Sequence, residues 1–109
     1  SLVDGIHVVN TETIPGFVIQ DQLGVVSGST VRAKNVVRDI SQMLKNIVGG
    51  ELHQYTNLLI ESRNEAFSRM LEDAKARGAN GVVNLRFATS AVSPGAAELF
   101  CYGTAVIVE

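Results

Sequence analysis

The sequence is poor in the residues that covalent and metal cross-links require. Its 109 residues include a single cysteine, Cys101, so no disulfide can form within the chain. One thiol also excludes a zinc site built mainly from cysteines of one chain. There is no tryptophan and there are only two prolines, which argues against a proline-rich recognition segment.

Charge is also sparse. Charged residues make up 18% of the chain, with nine Lys and Arg against eleven Asp and Glu, and the formal net charge is -2. This balance excludes the strongly basic footprint of a nucleic-acid-binding protein. At 46% hydrophobic residues the chain is too apolar for disorder and low in charge for a small lone monomer. We therefore predict one globular domain over residues 1–109, with no nucleic-acid partner.

No apolar run approaches the roughly 18 residues that a membrane span needs, so no membrane partner is expected. No basic stretch followed by an apolar core opens the chain, so we predict a cytoplasmic protein. The opening residues, Ser1 to Gly5, are left out of the functional argument. The chain begins with Ser rather than Met, which is typical of residues added by cloning or of a start exposed by removal of Met.

The first third of the sequence predicts strands joined by a turn. Ile6 to Val9 is a short apolar run typical of a strand. Pro15-Gly16 predicts a turn, because proline pre-sets its own φ and glycine accepts a positive φ. Apolar residues between Phe17 and Val26 predict a long strand with an irregularity at Gly24, and Gly28 to Thr30 predicts its end.

Two amphipathic helices are predicted next. Asn35 is a good N-cap for the first helix, and Gly49-Gly50 ends it. The second helix runs from about Tyr55 to Arg77 and would be roughly 35 Å long at ~1.5 Å per residue. Gly78 is its natural C-cap. The apolar stripe of the first helix consists of Val36, Ile40, Met43, Leu44 and Ile47.

The end of the chain predicts a hairpin. One strand places Val83, Leu85 and Phe87 on one face by alternation, a turn follows at Ser93 to Gly95, and the last strand runs from Ala97 to Val108. Strands, then two helices, then a hairpin is the order of an α+β domain. We predict a two-layer sandwich in which an antiparallel sheet carries two helices on one face.

Both faces of the last strand are apolar. One face carries Cys101 and Ala105, and the other carries Phe100, Tyr102 and Val106. A single layer of helices covers only one of these faces. We predict that a second copy of the chain covers the other, which makes the protein a homo-oligomer. The alternative is that both faces are covered within one domain.

Six ordered motifs run through the chain after about Ile6. They are Thr11-Glu-Thr-Ile-Pro-Gly-Phe, Leu23-Gly-Val-Val-Ser-Gly, Leu44-Lys-Asn-Ile-Val-Gly-Gly-Glu-Leu, Arg63-Asn-Glu-Ala, Ala79-Asn-Gly-Val-Val and Tyr102-Gly-Thr-Ala-Val. Together they resemble the YbjQ family, small bacterial proteins of unknown function that carry a heavy-metal-binding label. The resemblance implies a small α/β sandwich whose subunits assemble into a ring, a homopentamer. It implies no reaction and no catalytic residues.

The metal that this resemblance implies, a divalent ion, would need thiolate, thioether or imidazole ligands. Neither a Cys-x-x-Cys nor a His-x-x-x-His pattern is present. We take His53 and Cys101 as candidate ligands. The simpler interpretation makes Cys101 a buried core residue and His53 a solvated residue near the start of the long helix. A ring of subunits would place several copies of His53 around one axis.

A small anion or metabolite bound between subunits is the alternative. Arg32 and Lys34 follow closely on a predicted turn that contains Ser27 and Gly28, and turn amides together with arginine can bind an anion. The complete phosphate-loop pattern is absent. Cys101 lies far along the chain from either histidine, but sequence distance does not exclude proximity, so a Cys–His pair stays an alternative. No catalytic constellation is visible in the sequence, and we therefore predict no enzyme.

Overall fold

The computed structural model describes the backbone of residues 2–32, 51–93 and 96–109. Side chains are described throughout these ranges except at residues 31–32, 51–59, 91–93 and 96–97. These ranges hold a long helix and five strands, which confirms the α+β class. The helix predicted from Asn35 to Ile47 lies outside the described residues. The elements are β1 (Leu2–Val3), β2 (Ile6–Val8), β3 (Ile19–Arg32), α1 (Glu51–Ala76), β4 (Gly81–Ser93) and β5 (Ala96–Val108).

The five strands form one sheet in the order β1-β2-β4-β5-β3. Three neighbouring pairs are antiparallel, as predicted. The β2–β4 pair is parallel, with His7 opposite Gly81 and Val8 opposite Val82. The sheet is therefore mostly rather than wholly antiparallel, because α1 returns the chain to the end of the sheet where β2 begins.

Helix α1 ends as the sequence predicts. Gly78 has a φ of +80°, and its amide donates to the carbonyl of Lys75 at 3.0 Å. The amide of Ala79 donates to the carbonyl of Ala74 at 3.1 Å. This left-handed glycine satisfies the last helical carbonyls and directs the chain into β4.

At Gly28 the backbone of α1 directly contacts the backbone of β3. A Cβ at this position would lie 2.3 Å from both the Ala66 carbonyl oxygen and the Met70 amide nitrogen. The prediction that β3 ends here is wrong, because the β3–β5 pairing continues unbroken to Arg32. The glycine marks a close approach of the helix rather than a turn.

Strand β4 contains a bulge that the simple alternation missed. Its pairing with β5 shifts between Val83 and Arg86, and Asn84 has a φ of +55°. Val83 therefore lies opposite Thr104, whereas Phe87 lies opposite Cys101 on the other face. The prediction that Val83 and Phe87 share a face is wrong. The extra residue at the bulge shifts the alternation of side chains, so that residues after the bulge lie on the opposite face from the one that simple alternation predicts.

Two apolar clusters lie on the two faces of the sheet. The larger lies between α1 and the sheet and is built around Val26, Met70, Val82 and Cys101. The smaller lies at one end of the opposite face, where Ile14 covers residues of β4 and β5. We call the sheet face opposite α1 the far face.

Candidate functional site

Cys101 is a core residue. It is fully buried at the middle of β5, and its Sγ lies 3.5 Å from the Sδ of Met70. Burial raises the pKa of the thiol to about 11. A metal binds the thiolate form of cysteine, and the buried environment of Cys101 disfavours that form at neutral pH. The interpretation of Cys101 as a buried hydrophobe is confirmed, and its role as a metal ligand stays a prediction.

The two histidines do not meet Cys101 in a described cluster. His53 lies in the first turn of α1, in the part of the helix whose side chains are not described. The ring of His7 is half-buried against the ring of Phe17, with 4.4 Å between their centroids. Among the described residues, no three His, Cys, Asp or Glu side chains are grouped to hold a metal ion. The described residues of one chain therefore provide no set of ligands for a heavy metal.

The residues of the predicted anion site lie in a strand. Ser27 and Gly28 are in the middle of β3, and Arg32 is its last residue. The amide of Ser27 already donates to the Asp73 carboxylate at 3.3 Å. Lys34 lies outside the described residues. The anion-site hypothesis required the free amides of a turn. Ser27 and Gly28 form no such turn, because this segment is extended and paired with β5.

Three side chains of α1, one helical turn apart, bind the main chain along the outer edge of β3. Arg69 donates to the carbonyl of Ser29, Asp73 accepts from the amide of Ser27, and Arg77 donates to the carbonyl of Leu23 at 3.0 Å. We call Arg69, Asp73 and Arg77 the edge clamp. Asp73 also pairs with Arg77, with Nε and Oδ1 3.2 Å apart. The clamp occupies main-chain groups that an added strand would need.

A groove of about 900 Å³ opens beside the bulge in β4. The bulge amides hold the chain that leaves β2: Asn84 donates to the carbonyl of Thr11 at 2.9 Å, and Leu85 donates to the carbonyl of Val9 at 3.1 Å. Apolar side chains predominate in the groove, and Asn10, Thr11 and Arg86 provide its polar atoms. The apolar lining consists of Val8, Val9, Pro15, Phe67, Leu85 and Phe87.

Arg86 gives the groove its charge. Its Nη1 donates to the carbonyls of Asn10 at 2.8 Å and Leu85 at 2.9 Å. Since a guanidinium carries five donor hydrogens, others are left for a ligand at this exposed position. An apolar wall beside an arginine suits a ligand with an apolar body and an anionic group.

Sequence reasoning missed both Asn84 and Arg86. Asparagine tolerates the left-handed region better than most residues, so Asn84 within a strand pattern was an available signal for a bulge. Nothing in the sequence marked Arg86, because its place beside the groove depends on the bulge and on the segment that follows β2.

The fold is already known from a solved structure. The crystal structure of a protein of unknown function of the DUF74 family, from Pediococcus pentosaceus, matches 96% of this chain and 99% of that chain with a TM-score of 0.61. At 16% identity this likeness shows the fold alone. The class is a small two-layer α+β domain. No helix in the described ranges is long and apolar enough to cross a membrane.

A family model described as "Putative heavy-metal-binding", YbjQ_1, matches residues 6–109. The chain belongs to this family. It is 60% identical over 102 residues to a UPF0145 protein of Hahella chejuensis, covering 94% of this chain and 98% of the relative. It is 52% identical over 107 residues to a UPF0145 protein of Thermococcus kodakarensis, covering 98% and 95%. The expectation of a bacterial family is too narrow, since relatives occur in archaea.

Proposed function

We propose that this chain acts as a non-enzymatic homo-oligomeric protein, assembled as a ring, that binds a small ligand beside a contact between subunits. The observation that carries the proposal is an apolar surface on the far face that is exposed and that no element in the described ranges covers. Val25 is 66% exposed and Tyr102 is 37% exposed. The ring of Tyr102 stacks on that of Phe100, with centroids 5.6 Å apart. We call Val25, Phe100 and Tyr102 the far-face patch.

The chain's own described residues cover only part of the far face. Ile14 covers Val83, Val106 and Val108 at one end of the sheet. The far-face patch lies beyond this cover, on neighbouring β3 and β5. Burying a large apolar side chain contributes about 1.5–3 kcal/mol, so contact with another subunit would be favourable here. A second copy is the simplest partner, since homo-oligomers are common among soluble proteins.

A ring requires two different surfaces on each subunit, because its contacts are head-to-tail. The far-face patch supplies one apolar surface on β3 and β5. The strand β4, whose Phe87 is 41% exposed, offers a second on the other side of β5. Two separate surfaces support a ring over a symmetric dimer, and the ring of five subunits follows from the family resemblance.

Matched charge substitutions test the assembly. Tyr102→Glu places a carboxylate in the far-face patch, and we expect the oligomer to dissociate into folded subunits. Ile60→Glu is the control, because Ile60 is 42% exposed but lies on α1. The measurements are light scattering for mass and circular dichroism for folding. An unchanged mass for Tyr102→Glu would show that the far-face patch is not part of the interface.

The groove beside the bulge supports the ligand-binding part of the proposal. Phe87 and Arg86 line the groove and also belong to β4, the strand proposed to lie near a subunit contact. A neighbouring subunit placed there would add a wall to the groove. The ligand class is an apolar molecule that carries one anionic group, which Arg86 would bind.

Two naphthalene dyes of similar shape test the groove, one with a sulfonate and one without charge. We expect the sulfonated dye, anilinonaphthalene sulfonate, to bind about tenfold more tightly than uncharged phenylnaphthylamine, a difference near 1.4 kcal/mol. Arg86→Gln should remove this difference, and Arg63→Gln on the exposed surface of α1 should preserve it. Equal affinities of both dyes for the unmodified protein would contradict the charge assignment.

Heavy-metal binding stands in the family's description, and the described residues of one subunit offer no site for it. The described donors are a buried, protonated thiol and residues that form no cluster of three. A metal held between subunits by His53, with carboxylate oxygens completing the site, stays the prediction that the sequence supports.

A further inference from the structure

We propose that the outer edge of β4, from Phe87 to Ala91, pairs by main-chain hydrogen bonds with a strand from a second copy of the chain. This inference rests on the proposed homo-oligomer and names the surface through which one contact forms. It concerns the edge of the sheet, whereas the far-face patch concerns its surface.

The two long flanks of the sheet differ sharply. On one flank, the edge clamp of α1 occupies main-chain groups of β3 at Leu23, Ser27 and Ser29. On the other, β2 and the residues after it cover β4 only as far as Leu85, through the bond to the carbonyl of Val9. Within the ranges that the structure describes, no strand lies beside β4 beyond that point.

The pairing pattern shows which groups of β4 face outwards. The amide of Ser27 points away from β5, towards Asp73, so its partner Tyr102 directs its own main-chain groups towards β4. Tyr102 lies opposite Arg86, which therefore forms ladder bonds with β5. Alternation then turns the amides and carbonyls of Phe87, Thr89 and Ala91 outwards, and those of Ala88 and Ser90 inwards.

This open edge lacks the features that prevent strand addition. The segment Phe87-Ala-Thr-Ser-Ala contains no charged residue and no proline. Edges of soluble proteins are usually protected by charge, by proline, by a bulge or by a covering element. The clamped β3 edge has such protection. The five residues of β4 from Phe87 to Ala91 form a regular stretch between two register shifts, and among the described residues they have no charge, proline or covering element. An edge of this kind is a template for another strand.

A folded copy fits this edge better than an isolated peptide. Phe87 is exposed on the α1 side of the sheet, and the far-face patch is exposed on the opposite side, one strand away. A single added peptide strand would leave both surfaces largely in water. A second copy brings further structure with its strand and can bury side chains on both sides of the extended sheet.

A pair of proline substitutions tests the proposal. Thr89→Pro removes an outward amide and leaves the ladder with β5 complete, so we expect a folded protein whose mass is at least halved. Ser90→Pro is the control, because it removes an inward amide and should unfold the hairpin. A wild-type protein that is monomeric would overturn the proposed homo-oligomer itself. An oligomeric wild type with an equally oligomeric Thr89→Pro variant would overturn only the pairing through β4.

Amide hydrogen exchange on the wild-type oligomer provides a readout that needs no variant. Strand addition predicts that the amides of Phe87, Thr89 and Ala91 exchange at least a hundredfold more slowly than in a protein dissociated by Tyr102→Glu. The inward amides of Ala88 and Ser90 should be protected in both states. Fast exchange at the three outward amides of the oligomer, beside protected inward amides, would overturn the proposal even if Thr89→Pro fails to fold.

Discussion

Adding one methyl group at Gly28 should separate α1 from the sheet. The added Cβ would lie 2.3 Å from two main-chain atoms of α1 and 2.7 Å from the Cβ of Arg69, whereas ordinary contact begins near 3.4 Å. The helix would have to move by roughly 1 Å, and its backbone cannot rotate out of the way as a side chain could. Overpacking costs about 1–3 kcal/mol, and we expect Gly28→Ala to cost about 3 kcal/mol because backbone atoms form the obstruction.

The matched control is Gly16→Ala. Gly16 has a φ of +84° but no atom within 4 Å of an added Cβ, so its cost is conformational and amounts to about 1 kcal/mol. The assay is urea unfolding followed by circular dichroism at one fixed chain concentration, because association shifts apparent stability. A cost for Gly28→Ala below about 0.5 kcal/mol, or below that of Gly16→Ala, would refute the close contact between α1 and β3.

Three further predictions follow from single positions. Cys101 should react slowly with thiol reagents at pH 7.5. Because its pKa is raised from 9.0 to about 11, the buried thiol should contribute fully to the free energy of unfolding below pH 9, and this contribution should decline as the pH rises towards 11. Urea titrations of Cys101→Ala should show no such decline. Asn84→Val should cost about 1–2 kcal/mol at its φ of +55°, whereas thermal melts should show Asn84→Gly equal to or more stable than wild type. Zinc affinity measured by calorimetry should fall between pH 7.5 and pH 5.5 and be lost in His53→Ala, since imidazole must be neutral to bind; tight binding that changes with neither would exclude His53 as the ligand.

Elements that depend on local periodicity were predictable from the sequence. The long helix and its C-cap at Gly78 reappear in α1, and the predicted division of the last strand into two faces reappears in β5. These features follow from the 3.6-residue and two-residue repeats, which are set within a short stretch of chain. The burial of Cys101 follows from the same pattern.

Features that depend on contacts between distant segments were not predictable. Gly28 resembles a strand terminator in the sequence, and only the helix that packs on it shows why the position has no side chain. The parallel β2–β4 pair joins residues more than 70 positions apart. The groove needs the bulge at Asn84 and the chain after β2 together, so no single segment of the sequence encodes it.

The mass of the protein in solution tests the central claim most directly. Size-exclusion chromatography with light scattering, supported by native mass spectrometry, should be run on the unmodified chain from about 1 to 100 micromolar. We predict one species that contains more than one subunit, and five subunits if the ring implied by the family resemblance holds. The mass of a single 109-residue chain across that whole range would contradict the proposed assembly.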